Sequence, residues 1–187
     1  VLGCPAEEKM TGKNYMAQAG AFKGLDVALH NHPLSVNSVW NFHSTAMADM
    51  IIEWRGVSAH AAAVPWMGRS AVHAMEVFLV AANMMREQMK PTARLHYQIL
   101  DGGYAVNSIP DYARVLVRYR GDSAENVTEY RNWLEDMAKG AGLATKTKET
   151  FTVITGTLDM VGNDPLAKNV YEHLKKHFPL KWTDEEQ

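Results

Sequence analysis

The pattern of apolar and polar positions divides the middle of the chain into six segments. Residues 50–57, 94–100, 112–120 and 145–154 have the length and composition of strands. In the third of these, small or apolar residues alternate with larger polar ones, which is typical of a strand with one buried face. The four segments therefore predict a sheet.

Two helices are predicted between these strands. The first covers residues 70–89, where apolar side chains recur at helical spacing behind the cap residue Ser70. The second begins at a capping-box pattern that starts with Asp122, and it ends at Gly140 and Gly142. The resulting order is βαββαβ, which is the ferredoxin-like arrangement.

The flanking segments have a different character. Residues 1–5 resemble the end of a strand, residues 12–21 a short helix and residues 25–29 a buried parallel strand, so together they predict one βαβ step of an α/β sheet. Later in the chain, Asp164 and Pro165 predict the start of another helix. Both ends look cut, because the first residues are already strand-like and the last ones stop where a helix would begin.

These observations predict an α+β fold in which a ferredoxin-like domain is inserted into a partial α/β domain with a parallel sheet. Residues 46–156 would be the inserted domain, and residues 1–45 and 157–187 would belong to the α/β domain. We expect most of the α/β domain to lie outside these 187 residues.

Charge and composition argue against two classes of partner. The net charge is −2, so the basic surface that binds nucleic acid is not expected. No stretch approaches the roughly 20 apolar residues that a membrane-spanning helix needs. The single cysteine, Cys4, cannot form an internal disulfide, which favours the cytoplasm.

Candidate catalytic chemistry lies at the ends of the two predicted flanking strands. Glu7 and Glu8 follow the first strand, and His30 and His32 follow the second. A right-handed crossover would bring both groups to one edge of a parallel sheet, where one carboxylate can bind a metal and the other can accept a proton. Paired loop glutamates are nevertheless usually solvated and loop histidines usually hydrogen-bonded, so spacing alone does not establish a metal site.

Several motifs in a fixed order resemble those of the dinuclear metallopeptidase family, which includes aminoacylases, carboxypeptidase G and bacterial aminobenzoyl-glutamate hydrolases. The resemblance is closest to the aminobenzoyl-glutamate utilisation branch and covers nearly the whole chain. The matching residues are 3–8, 25–33, 56–61, Pro65, 68–71, 102–103 and 107–110.

The resemblance implies roles for the catalytic residues. Glu7 would be the general base, and Glu8 would be a ligand of one of two divalent metal ions, zinc or manganese. His32 occupies the position of the family's ligand on the second strand, whereas His30 would at most support it. The remaining ligands of the family lie before Val1 and after the last residue, so the fragment alone is expected to be inactive and need not bind metal.

The resemblance also implies that residues 46–156 are a lid and dimerisation domain, between the last part of a first catalytic segment (1–45) and the start of a second (157–187). His60 would stabilise the oxyanion in the active site of a partner subunit, within a homodimer formed by the lid domain. Asn107 and Arg120 would hold the carboxylate of a small amide substrate. Arg118 lies on the same strand face as Arg120, and the distance from Asn107 in the family pattern selects Arg120.

The expected activity of the parent protein is hydrolysis of an amide bond next to a free carboxylate, as in an N-acyl amino acid, aminobenzoyl-glutamate or a dipeptide. The alternative is a non-catalytic, ferredoxin-like dimerisation module. An RNA-binding sheet of the same topology is disfavoured, because residues 112–120 lack the paired aromatic side chains that stack on bases.

Overall fold

The computed structural model describes residues 1–9 and 12–185. The chain forms two compact units, one made of Val1–Ala21 and Thr45–Asp159, the other of Phe22–Ser44 and Met160–Gln187. Within the described residues, none of the helices combines the length and the apolar content that crossing a membrane requires.

The first unit contains a four-stranded antiparallel sheet with the strand order β2-β3-β1-β4. Three short 3₁₀ helices, Glu7–Lys9, Pro65–Met67 and Arg86–Gln88, accompany the main elements. The main elements are α1 Gly12–Gln18, β1 Ala46–Arg55, α2 Ala71–Met85, β2 Arg94–Asp101, β3 Tyr112–Gly121, α3 Ala124–Thr145 and β4 Lys148–Thr157. The predicted βαββαβ order is confirmed.

The helices α2 and α3 pack on one face of this sheet and close the core. Trp54 is fully buried there, with its ring 5.4 Å from that of Phe78 and its indole N–H donating to the carbonyl of Ala138 at 3.3 Å. Tyr119 is buried at the end of β3, and burial raises its pKa to about 12. On β3 every second residue is buried, as the sequence alternation predicts: Ala113, Val115, Val117, Tyr119 and Gly121.

The other face of the sheet carries mostly charged and polar side chains, and we call it the polar face. Asp49 on β1 lies opposite Arg118 on β3 and is only 6% exposed. Nε and Nη2 of Arg118 donate to the two carboxylate oxygens of Asp49 at 2.7 and 2.8 Å. The hydrogen bonds to Asp49 raise the pKa of Arg118. Because the two opposite charges are paired, both residues can lie in the middle of the sheet.

The ladder between β1 and β3 continues beyond the sheet. Gly56 donates its N–H to the carbonyl of Asp111 at 2.8 Å, and Val57 exchanges two backbone hydrogen bonds with Arg69 at 2.9 and 2.8 Å. A Cβ on Gly56 would overlap the carbonyl oxygen of Arg69, so only glycine permits this approach. The position of Gly56 therefore fixes the start of the loop that follows β1.

The second unit consists of residues 22–44 and the region around α4 Asp164–Lys175. Ser44 and Met160 form an isolated antiparallel bridge, in which Ser44 donates to the Met160 carbonyl at 3.0 Å. Asn163 caps α4 by accepting from the Leu166 N–H at 3.1 Å, so the cap is one residue earlier than the predicted Asp164.

Two helix boundaries predicted from sequence were wrong. The helix α3 is capped by Ser123 and not by Asp122, because the Ser123 hydroxyl accepts from the Asn126 N–H at 3.4 Å. The same helix runs through Gly140 and Gly142 to Thr145. A Cβ on Gly142 would lie 2.6 Å from a carboxylate oxygen of Glu149, so this glycine permits close packing and does not end the helix.

The two flanking strands predicted at residues 1–5 and 25–29 were also wrong, and α1 is shorter than predicted. Residues 25–29 contain no strand, and Leu25, Val27 and Leu29 are 53%, 49% and 66% exposed. A parallel strand needs neighbours for its backbone groups and its side chains. Within the described residues nothing pairs with this segment, so an apolar run alone does not produce a strand.

We predict that Asp49→Asn lowers the free energy of unfolding by about 2–3 kcal/mol, because it leaves Arg118 part-buried without its carboxylate. The matched control is Asp136→Asn, which removes the exposed charge pair with Lys139 on the surface of α3 and should cost below about 0.5 kcal/mol. Urea unfolding of both variants measures the difference. Equal losses would show that the polar-face pair is no more important than a surface pair.

We also predict that Gly56→Ala destabilises the protein by more than about 2 kcal/mol, because a rigid backbone oxygen would have to move. Gly140→Ala is the control, since a Cβ there meets nothing within 4 Å and alanine should stabilise the interior of α3 by about 0.5–1 kcal/mol. Hydrogen exchange should show faster exchange at residues 57–69 in the first variant alone. Unchanged exchange there would contradict the role of Gly56.

Candidate functional site

His60 lies in the loop that follows β1, and the backbone fixes its tautomer. Its Nδ1 accepts hydrogen bonds from the N–H groups of Ala62 and Ala63 at 3.2 and 3.1 Å. A neutral imidazole that accepts at Nδ1 carries its proton on Nε2. Because the side chain is exposed, His60 presents an N–H donor to whatever approaches this loop.

Asn107 lies directly beside this loop. Its carbonyl accepts from the Ala61 N–H at 2.9 Å, and the Ile109 N–H donates to the Ala59 carbonyl, also at 2.9 Å. His60 itself pairs with Ser108 in an isolated antiparallel bridge. The structure thus brings His60 and Asn107 together on two loops that extend the β1–β3 ladder past the end of the sheet.

Arg120 lies at the opposite end of β3. It is eight residues beyond Tyr112, the first residue of that strand. A rise of about 3.4 Å per residue separates the two by roughly 27 Å, and Asn107 lies beyond Tyr112 in the other direction. One substrate molecule therefore cannot contact Asn107 and Arg120 of the same chain.

Arg118 and Arg120 differ in a way that the sequence pattern could not show. The guanidinium of Arg118 is bound by both oxygens of Asp49. Arg120 is half-buried on the same face, and in the described part of the chain it takes part in no hydrogen bond or ion pair through its side chain. Arg118 is committed to the sheet, whereas the donors of Arg120 are available to a ligand.

Glu7 and Glu8 form the exposed 3₁₀ helix Glu7–Lys9 in the first unit. Ala6, just before them, has a positive φ of 52°, which turns the chain into this helix. The Lys13 ammonium lies 3.9 Å from a carboxylate oxygen of Glu7, at the limit of an ion pair. Both carboxylates are accessible, and they bear no other charged partner within the described residues.

His32 belongs to the second unit, and it too has a defined tautomer. Its Nδ1 lies 3.0 Å from the carbonyl oxygen of Pro33. A carbonyl can only accept, so Nδ1 carries the proton and Nε2 keeps its lone pair. A hydrogen bond of this kind is what orients a metal-binding imidazole. His30 is exposed nearby, and among the residues that the structure describes its ring has no hydrogen bond of this kind.

The described residues do not form a complete metal centre. Among residues 1–9 and 12–185, no group of three or more His, Cys, Asp or Glu side chains lies close enough together to hold an ion. A stable catalytic zinc needs about three protein ligands. Glu8 and His32 each carry a donor atom that is suitable for such an ion.

Sequence reasoning missed two residues of the polar face. Asp49 was outside the predicted first strand, which begins four residues earlier than expected, at Ala46. Arg94 is the residue directly opposite Arg120 in the pairing of β2 with β3. The alternation within a strand indicates its faces, but it does not give the register between strands, so no sequence signal linked these two arginines.

Comparison with known proteins identifies relatives that share much of this sequence. The Xaa-Arg dipeptidase of Mus musculus is 37% identical over 145 residues, covering 78% of this chain and 33% of that protein. One of the subunits of the p-aminobenzoyl-glutamate hydrolase of Escherichia coli is 30% identical over 185 residues, covering 98% of this chain and 38% of that protein. The chain thus spans 33% of the length of the first relative and 38% of the second.

A solved structure shows the same fold. The aminobenzoyl-glutamate utilization protein from Klebsiella pneumoniae superposes with a TM-score of 0.59 at 18% identity, over 71% of this chain and 34% of that one. Residues 43–146 match the model of the peptidase dimerisation domain family. The chain therefore belongs to the family of peptidases and amidohydrolases that carry this dimerisation domain.

Proposed function

We propose that the protein containing these residues is a metal-dependent hydrolase of amide bonds next to a free carboxylate. Membership of a peptidase and amidohydrolase family supports hydrolysis. The observation that carries the proposal is the fixed tautomer of His60, whose Nε2–H is held ready as a donor by two backbone N–H groups. Such a donor is suited to the oxyanion that forms when an amide is attacked.

Glu7 is the proposed general base and Glu8 the proposed metal ligand. Glu8 and the lone pair on Nε2 of His32 fit a borderline divalent cation such as zinc or manganese. Two such ions, when bound, supply Lewis acidity and a water molecule of lowered pKa. Glu7 accepts a proton during attack and returns it to the leaving amine.

Arg120 is proposed to bind the free carboxylate of the substrate through its planar fork. The chain enters the sheet at Ala46 and leaves it at Thr157, and Arg120 pairs next to the first of these strand ends. His60 and Asn107 lie at the far end, so we propose that they complete the active site of a partner subunit.

The proposed dimer forms through α2 and β2, because β2 is an edge strand of the sheet. An edge strand offers unpaired backbone groups to a second copy. Exposed apolar side chains follow the same edge on both elements: Val77, Val80, Met84, Tyr97 and Ile99. We propose a homodimer, whereas the Escherichia coli relative is by its name one subunit of its enzyme, which makes a related second chain the alternative partner.

The second candidate function is a non-catalytic dimerisation module. The exposed apolar edge favours it, since this surface needs no metal to act. Light scattering together with metal analysis of the 187-residue chain distinguishes the two. A metal-free dimer supports the module for this chain, and tightly bound metal in a fixed ratio to the chain supports the hydrolase.

We propose the cytoplasm as the compartment of the protein, in keeping with the single Cys4.

The substrate's side chain is the open part of this proposal. The names of the two relatives contain arginine in one and glutamate in the other, which carry opposite charges. An amide next to a free carboxylate is common to both. The proposal therefore commits to the carboxylate that Arg120 binds, and the charge of the side chain has to come from other residues of the site.

We predict that Glu7→Ala in the full-length, metal-loaded protein lowers kcat by about 10²–10⁴-fold without loss of metal, because only the proton acceptor is removed. Glu8→Ala should lose metal and activity together. Glu129→Ala, on the exposed surface of α3, is the control and should change neither. Steady-state kinetics and metal analysis are the measurements. Undiminished turnover of the Glu7 variant would refute its assignment.

We predict that a hybrid dimer of His60→Ala and Glu7→Ala subunits is active although each parent homodimer is not. One of its two sites combines an intact Glu7 with the partner's intact His60, so it should have about half of the wild-type activity. Two affinity tags isolate the hybrid after co-expression.

The matched control hybrid combines Glu7→Ala with Arg120→Ala subunits. Both residues are proposed to serve the site of their own subunit, so this hybrid should contain no intact site and stay inactive. Activity in the control hybrid together with an inactive first hybrid would reverse the proposed assignment of residues to subunits.

A further inference from the structure

Two arginines stand directly opposite each other at one end of the polar face. Arg94 on β2 pairs with Arg120 on β3 in the antiparallel register. Their neighbours Leu95 and Tyr119 are buried against the helices, so both arginines point to the opposite, polar face. Residues paired in this way have Cβ atoms about 5 Å apart, which is close enough for both guanidinium groups to reach one small molecule.

The stability of the fold does not explain this pair. Like charges placed directly opposite each other in a sheet are destabilising. The nearby buried carboxylate, Asp49, is already bound on both oxygens by Arg118. Among residues 1–9 and 12–185, no ion pair joins Arg94 or Arg120 to a carboxylate. The two positive charges therefore lack a counter-charge from the described chain.

The side chain of Arg94 is held in place from one side. Its Nη1 donates to the carbonyls of Pro91 and Ala93, both at 2.6 Å. The opposite edge of the guanidinium, Nε and Nη2, is not used in these bonds. That edge is the one that binds both oxygens of a carboxylate. The exposed side chain of Arg94 is therefore held through Nη1, and its Nε and Nη2 donors remain available to a ligand.

We propose that Arg94 and Arg120 together bind a dicarboxylic amino acid, aspartate or glutamate, as the carboxylate-bearing part of the amide substrate. Arg120 binds the carboxylate next to the amide bond, and Arg94 binds the carboxylate of the side chain. This inference rests on the proposed function, because it assigns a second contact in the same substrate site. A substrate with a cationic side chain is rejected by the charge of Arg94.

An edge strand can also carry a charged residue simply to prevent pairing with another chain. In that case the charge of Arg94 would have no relation to the substrate. The two explanations differ in one measurable property, because only a substrate contact makes the effect of Arg94 depend on the charge of the substrate's side chain.

The test uses the full-length, metal-loaded protein with N-benzoyl-glutamate and N-benzoyl-glutamine, which differ only in the side-chain charge. The wild-type protein should favour the glutamate substrate in kcat/KM. Arg94→Gln should lower kcat/KM for that substrate by about ten- to a hundredfold, the loss expected for a charge-assisted pair of hydrogen bonds. Turnover of the glutamine substrate should change less than about twofold.

Two further variants sharpen the result. Arg94→Lys keeps the charge and should keep the preference for glutamate, whereas Arg94→Glu should favour N-benzoyl-arginine over N-benzoyl-glutamate. Arg131→Gln, which removes a guanidinium from the surface of α3, is the control and should leave all ratios unchanged.

The outcomes separate this inference from the function on which it rests. If Arg94→Gln affects the glutamate and glutamine substrates equally, or affects neither, the inference is overturned while amide hydrolysis stands. If the wild-type protein hydrolyses none of the three benzoyl amino acids, the proposed function fails and the inference fails with it. A wild-type preference for the arginine substrate would also overturn the inference.

Discussion

The pairing of β1 with β3 determines where the candidate residues of the first unit's sheet and loops lie. Ten residue pairs join the two strands, from Ala46 with Gly121 to Arg55 with Tyr112. The same ladder continues through Gly56 into the loops of His60 and Asn107. Because a strand is stiff and nearly straight over this length, Arg120 and His60 are fixed at opposite ends. Their separation is a property of the backbone and does not depend on any side-chain rotamer.

The polar face shows what the fold does with charge when stability alone decides. In the row of Asp49 and Arg118, a buried carboxylate meets a guanidinium at 2.7 and 2.8 Å, so the row is electrically balanced. In the adjacent row, Arg94 faces Arg120 and the described chain provides no balancing carboxylate. Two adjacent rows on the same face of the sheet thus differ, because one pairs opposite charges and the other places like charges opposite each other. An external anion is the simplest source of the missing charge.

Much of the sheet and its two helices could be predicted from sequence, because their apolar spacing is repeated over whole elements. The alternation in residues 112–120 is an example, since each buried position was visible in advance. The segment 25–29 failed because an apolar run becomes a strand only beside neighbours, and periodicity carries no information about them. Periodicity also does not show the register between neighbouring strands, and for this reason the pairing of Arg94 with Arg120 could not be predicted. Likewise, the roles of Glu7, Glu8 and His32 came from motif resemblance and remain predictions.

Because His60 and Arg120 lie far apart in one chain, the proposed dimer would be needed for the active site as well as for stability. If one substrate must contact both ends of the ladder, the contacts have to come from two chains, since no rotation within a single sheet brings the ends together. The surface formed by α2 and β2 would then be as necessary for turnover as the general base, although none of its side chains takes part in the chemistry. In the proposed dimer, the dimerisation domain would be part of the active site, because it would set the distance between the proposed carboxylate-binding Arg120 of one subunit and the proposed oxyanion donor His60 of the other.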